Sequence, residues 1–116
     1  PPAPEISFNA EAMFEDYVMC SPPDGYYVEL VWNEPPDRSG IDHYQVVLQA
    51  YVDNQWKTIL RENVPADTLS LAINKEVNDP AYCGLKFQAR IRAMDREEAW
   101  GEWSPWLGFP TIPPPG

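Results

Sequence analysis

Apolar and polar residues alternate along most of this chain with the period of two that marks strands half buried in a sheet. The clearest run is the stretch 87–93. Phe87, Ala89, Ile91 and Ala93 share one face, and Gln88, Arg90 and Arg92 share the other. Val28, Leu30 and Trp32 alternate with Tyr27, Glu29, Val31 and Asn33, which predicts a strand over 26–33. The run Glu34-Pro35-Pro36-Asp37 stops it, because proline cannot continue a ladder. Over 42–52, Tyr44, Val46 and Leu48 face inward, with His43, Gln45, Val47 and Gln49 outward. Asp53-Asn54 tolerates the left-handed conformation of a hairpin turn, so a return strand is expected over 55–60 with Trp56 and Ile59. Leu69, Leu71 and Ile73 predict a further strand, Ile6 and Phe8 a first one, and 106–109 a last.

Two stretches break the alternation. Residues 10–25 hold Met13, Phe14, Tyr17, Val18 and Cys20 before a Ser-Pro-Pro-Asp-Gly turn, too apolar for a free loop. A short helical turn or an extra edge strand is expected there. Residues 74–84 read as a loop. With no helix of any length and no internal repeat, about seven short strands set off by turn signals describe an all-β chain. The pattern is that of an immunoglobulin-like β-sandwich with antiparallel strands.

After the strand at 87–93 the period changes from two to three. Trp100, Trp103 and Trp106 follow one another at that interval, with Pro105 among them. A period of three suits an extended polyproline-II segment that presents its rings on one side. The rings would then lie beside Arg90 and Arg92 and stack with them, at roughly 0.5–2 kcal/mol per contact. Two readings of the row stay open. It is a structural ladder over the arginine face, or an exposed aromatic surface for a partner or a sugar, with Trp100 and Trp103 as its contact residues.

Length and composition narrow the class. The 116 residues suit one domain, and 13% aromatic residues with 14 prolines strengthen the all-β reading. The proline-rich ends, PPAPE and IPPPG, read as stiff linkers. The chain is therefore expected to divide into a linker at 1–3, a domain at 4–110 and a proline-rich linker at 111–116, as a module of a longer protein. Eighteen acidic against eight basic groups give a net charge of −10, which argues against nucleic acid or an anionic membrane as partner. No apolar run is long enough to insert in a membrane, and no secretory signal is visible at the start.

Candidate chemistry is sparse. The acidic pairs Glu15-Asp16 and Glu97-Glu98 lack the spacing and glycine turn of a calcium loop. No nucleophile elbow, phosphate-cradling glycine run or metal-ligand cluster occurs. The single histidine, His43, lies on or just before an outward strand face, and Asp37 and Asp42 give polarity to one loop. No catalytic residue, metal or cofactor is expected. Cys20 and Cys83 form no CxxC motif and are either one disulfide or two separate buried thiols.

These pieces together resemble a fibronectin type III domain, from about Pro4 to Pro110. The matching residues are Leu30-Val31-Trp32 followed by Glu34-Pro35-Pro36, Tyr44 with Val46, Leu69 with Leu71, and FQARIRA at 87–93. The resemblance implies that Trp32 is the core tryptophan. It also implies that Phe87 stands where the family commonly has a tyrosine tied to backbone, a lost hydrogen bond worth about 1 kcal/mol. Trp103-Ser104-Pro105-Trp106 is similar to the WSxWS box of class I cytokine receptors, with Leu107 in place of the last serine. That likeness implies a ladder of Arg90, Arg92, Trp103 and Trp106. The string WGEWSPW is also similar to thrombospondin type 1 repeats, but those depend on nearby cysteines and none follows here. In a eukaryotic source the W-x-x-W spacing would resemble a C-mannosylation signal at Trp100 and Trp103.

The family topology puts the connections holding Cys20 and Cys83 at one end of the sandwich, so the resemblance implies a Cys20–Cys83 disulfide. It also gathers loops 34–41, 61–67 and 95–102 at one end, where Arg38, Glu62 and Trp100 would be neighbours on a contact surface. The implied role is a non-catalytic module of a larger extracellular or cell-surface protein. It would space neighbouring domains and contact a protein partner, with the oligomeric state left open. Three other roles stay open: a ligand-binding domain of a cytokine-receptor-like protein, a bacterial or phage surface module, and a carbohydrate-binding accessory of a secreted enzyme.

Overall fold

The computed structural model describes residues 3–10, 13–14, 17–23, 25–36 and 40–115. Arg38, Asp37 and the Glu15-Asp16 pair lie outside the described residues. Two sheets pack face to face. The smaller has the order β1 (Ile6–Ala10), β4 (Val28–Trp32), β7 (Ser70–Ala72). The larger has the order β2 (Met13–Phe14), β3 (Tyr17–Met19), β9 (Leu107–Ile112), β8 (Lys86–Asp95), β5 (Ile41–Val52), β6 (Gln55–Pro65). A single turn of helix, α1 (Asn74–Val77), follows β7.

The alternating faces close on one core. Val28, Leu30 and Trp32 from β4 meet Tyr44, Val46 and Leu48 from β5 and Phe87, Ala89, Ile91 and Ala93 from β8, all nearly fully buried. Trp32 packs edge-on against Tyr44, with ring centroids 5.7 Å apart. Phe87 stacks on Phe109 at 5.4 Å, and Phe109 meets Phe8 edge-on at 4.2 Å. A three-ring cluster that includes Phe87 thus joins the two sheets. At the β5–β6 hairpin, Asp53 and Asn54 both have positive φ, 51° and 65°, as a two-residue turn of the primed type requires.

Of the two alternatives for the stretch before β4, the extra edge strand is the one found: β2 and β3 form a small hairpin, and β3 pairs in parallel with β9 through Val18↔Thr111 and Met19↔Ile112. Other sequence expectations need correction. The described strands number nine, and that one pairing is not antiparallel. The same pairing carries β9 to Ile112, past the boundary expected at Pro110. Buried Thr111 fixes it there: its hydroxyl donates to Leu85 O at 2.7 Å and accepts from Gly84 N–H at 2.8 Å. The return strand β6 runs to Pro65 rather than Leu60, because a bulge at Ile59 lets the chain stay paired with β5. The loop after β7 opens with α1.

The disulfide is present. Cys20 and Cys83 are bonded with their Cα atoms 5.7 Å apart, joining the segment after β3 to the segment before β8. Beside it, buried Asn78 acts as a knot. Its side-chain oxygen accepts from Ser21 N–H at 3.0 Å, and its amide donates to the carbonyls of Tyr26 and Asn74, each at 2.8 Å. Gly25, with φ of +44°, closes against it, and a β-carbon there would collide with the Asn78 side chain.

Candidate functional site

The outer face of the larger sheet carries the residues that chemistry singled out. The alternation of β8 aims Gln88, Arg90 and Arg92 away from the core, and residues 99–106 run beside that strand on the side opposite β5. Asp95 starts this segment with a tight turn, its carboxylate accepting from the N–H groups of Glu97 and Ala99, both at 2.9 Å. Gly101 N–H then donates to Ala93 O at 2.8 Å, and Ser104 N–H to Ile91 O at 2.8 Å. Leu107 pairs with Ala89. Ser104 is buried, and its hydroxyl accepts from Ile91 N–H at 3.0 Å.

The segment therefore advances three residues for every two of β8. Two strand residues span about 6.6 Å, so three residues of the segment are matched to that length of β8. The three-to-two match is what brings each ring level with a gap between successive arginines.

The result is an alternating stack in the order Trp100, Arg92, Trp103, Arg90, Trp106. Arg92 lies over Trp100 at 3.9 Å and over Trp103 at 4.3 Å. Arg90 lies over Trp103 at 4.2 Å and over Trp106 at 4.3 Å. His43 closes one end, meeting Trp100 edge-on at 5.4 Å with its Nδ1 2.7 Å from the Asp42 carboxylate. Trp106 forms the open end and is 38% exposed, whereas Trp100 and Trp103 are half-buried. Trp100 is thus not the ring most open to solvent, because His43 and Arg92 both cover it.

Polar side chains continue the face across the sheet. Arg92 Nε donates to Gln45 at 2.9 Å, Gln88 donates to Gln49 at 2.7 Å, and Gln49 donates to Thr58 at 3.2 Å. Burial first, then the like charges of Arg61 and Arg90, hold the Arg92 guanidinium below its ordinary value.

Loops after β4, β6 and β8 do gather at one end, as the pairings His43↔Pro65 and Ile41↔Asp95 require. Glu62 does not join Trp100 there. It sits within β6 opposite Val46, on the face turned away from the stack. It lines a groove of about 300 Å³ with Leu60, Leu71 and Lys75. The longer β6 is the reason: residues expected in a loop are paired in a strand, and parity sends Glu62 to the other side.

Among the described residues, no group of three or more histidine, cysteine, aspartate or glutamate side chains could hold a metal ion, and no helix is long and apolar enough to cross a membrane.

No family model matches the chain, and no curated protein matches it. Solved structures do. The third fibronectin III domain of human KIAA0343 protein superposes with a TM-score of 0.58 at 10% identity, over 95% of this chain and 82% of that one. The fold is that of a fibronectin type III domain. A β-1,2-glucanase from Parabacteroides distasonis contains a similar part, with a TM-score of 0.53 at 13% identity. It covers 97% of this chain and 14% of the glucanase, so the chain corresponds to a small part of that enzyme's length. At such identities the fibronectin type III likeness is one of fold, and function rests on the site.

Proposed function

We propose that this chain is a non-catalytic spacer module of a larger extracellular or cell-surface protein, holding its neighbours apart at a fixed angle and offering one sheet face to a protein partner. The observation that carries the reading is the course of the chain through an elongated body of 50 × 28 × 22 Å. β1 begins beside Trp32, at the end where Asp95 meets Ile41. β9 finishes beside Lys86 and Cys20, at the opposite end. Neighbours joined at the two termini would sit at opposite poles.

The other features support the same reading. The disulfide suits an oxidising compartment. The tryptophan–arginine stack is read as the counterpart of the WSxWS box, a brace that stiffens the 99–106 segment along the body's length. The glucanase likeness concerns a small part of a long chain, which is how a module would occur.

The test uses the full-length protein with residues 4–112 excised. Small-angle scattering should show the longest dimension falling by an amount comparable to the domain's 50 Å axis, with the neighbours' own activities retained. An unchanged longest dimension, or loss of an activity that the isolated domain itself carries, overturns the reading.

A further inference from the structure

We propose that Arg61, Arg90 and Arg92 form a receptor on the outer sheet face for the carboxylates of an acidic polypeptide segment. The inference does not depend on the spacing role.

The placement follows from register. Val47 is paired with Arg61 on one side and Arg90 on the other, so a straight row crosses β6, β5 and β8. At strand spacings of about 4.8 Å, the two arginine backbones lie about 10 Å apart. Arg92 projects from the same face one pleat further along β8. Val47, between the two arginines in that row, is 3% exposed although it points away from the core, so the outer face is covered at this point.

The charge pattern is unusual for this chain. It carries 18 acidic groups against 8 basic ones. Yet among the described residues no carboxylate lies within ion-pair distance of Arg61, Arg90 or Arg92; the nearby Asp42 is engaged by His43 Nδ1 at 2.7 Å instead. Three cations are therefore held together without a counter-charge. Their mutual repulsion contributes to the lowered value at Arg92, and an arriving anion would relieve it.

The donors are also oriented in advance. The indoles occupy the flat faces of Arg90 and Arg92, and Gln45 takes the Arg92 Nε–H. No described group accepts a hydrogen bond from the terminal nitrogens of either guanidinium. Those edges are the part that binds a carboxylate in fork geometry, and the stack has already fixed their plane. The ordering cost of binding is correspondingly small.

The surroundings select a short acidic peptide over a long polyanion. The patch spans three strands in a molecule of net charge −10, so a uniformly charged polymer would run on into repelling surface. A peptide can end its charge within the patch. Arg61 also lies on β6, which among the described residues pairs on one side only, so an extended segment has open backbone beside it.

The test is an NMR titration of the intact chain with a short synthetic Glu/Ser peptide at low ionic strength, read at the arginine Nε–H signals. Shifts are expected at Arg61, Arg90 and Arg92, with affinity falling about tenfold when salt rises to the physiological range. Arg61→Gln, which leaves every ladder contact in place, should weaken binding about three- to tenfold. Lys57→Gln and Lys86→Gln, removing cations that lie over Tyr82 and Tyr51 instead, should each change it less than about twofold. Any of three results overturns the proposal: no shift at millimolar peptide, equal losses in the lysine variants, or binding of a sulfated oligosaccharide with none of the peptide.

Discussion

Replacing Trp103 with alanine should cost more stability than replacing either of the other two ladder tryptophans, because it alone has a guanidinium on both faces. The guanidinium groups on its two faces are those of Arg90 at 4.2 Å and Arg92 at 4.3 Å. At a partly exposed site each contact contributes about 0.5–1 kcal/mol. The half-buried indole also removes about 100 Å² of apolar surface from water, worth about 2.5 kcal/mol at roughly 25 cal/mol per Å². After allowing for a compact unfolded state, the loss is about 3 kcal/mol. Trp106 has one guanidinium contact and is 38% exposed, so by the same reckoning Trp106→Ala should cost about 2 kcal/mol. For a domain of this size the two variants should melt roughly 10–15 °C and 6–10 °C below the parent. Calorimetry and urea unfolding followed by circular dichroism measure both. A double-mutant cycle of Trp103→Ala with Arg92→Met isolates the contact, keeping the arginine stem while removing its charge. Equal losses for the two tryptophans, or a coupling energy below about 0.3 kcal/mol, would refute the account of the ladder.

Three further outcomes are expected. Cys20→Ser with Cys83→Ser opens a loop of sequence separation 63 and should lower stability by up to about 4 kcal/mol on the chain-entropy account, with reducing agent having no effect on the double variant. Asn78→Ala should cost about 2–3 kcal/mol by leaving the Ser21 N–H and the Tyr26 and Asn74 carbonyls without their partner, and Gly25→Ala should be destabilising at the same knot; chemical denaturation checks both, and a neutral Asn78→Ala would contradict it. The Glu76 carboxyl is held above its ordinary value mainly by burial, with Glu62 and Asp79 adding to the effect and its own backbone N–H and Lys75 opposing it. A raised folded value means that the parent gains stability relative to Glu76→Gln as pH falls through that value toward the ordinary carboxylate range and loses it again above. At neutral pH the glutamine variant should thus be equal or slightly more stable, by less than about 1 kcal/mol after solvent screening, with the difference moving in the parent's favour near pH 4 in parallel melting curves.

How much of this was legible in the sequence follows from how far each signal reaches along the chain. The faces of β4, β5 and β8 are written locally: alternation of side chains across a strand needs only neighbouring residues, so Trp32, Tyr44 and Phe87 could be assigned to the core before any partner strand was known. The hairpin at Asp53-Asn54 is equally local, because a positive φ is a property of the residues themselves. The spacing of Trp100, Trp103 and Trp106 announced a repeated face, and the two arginines of β8 announced what it would meet. Pairing, by contrast, is decided between distant segments. Nothing near Val18 states that it lies parallel to Thr111, and nothing near Glu62 states that β6 continues past Leu60 and turns that carboxylate away from Trp100. Asn78 looks like an ordinary loop residue until three separate backbone groups converge on it. Even the ladder depended on tertiary structure for its register: the hydrogen bonds to Ala93 and Ile91 match three residues to two. Sequence determined which way each side chain points from its own strand. The three-dimensional structure decided which strands lie together, because hydrogen bonding between strands is indifferent to sequence distance and is settled by how the whole core closes.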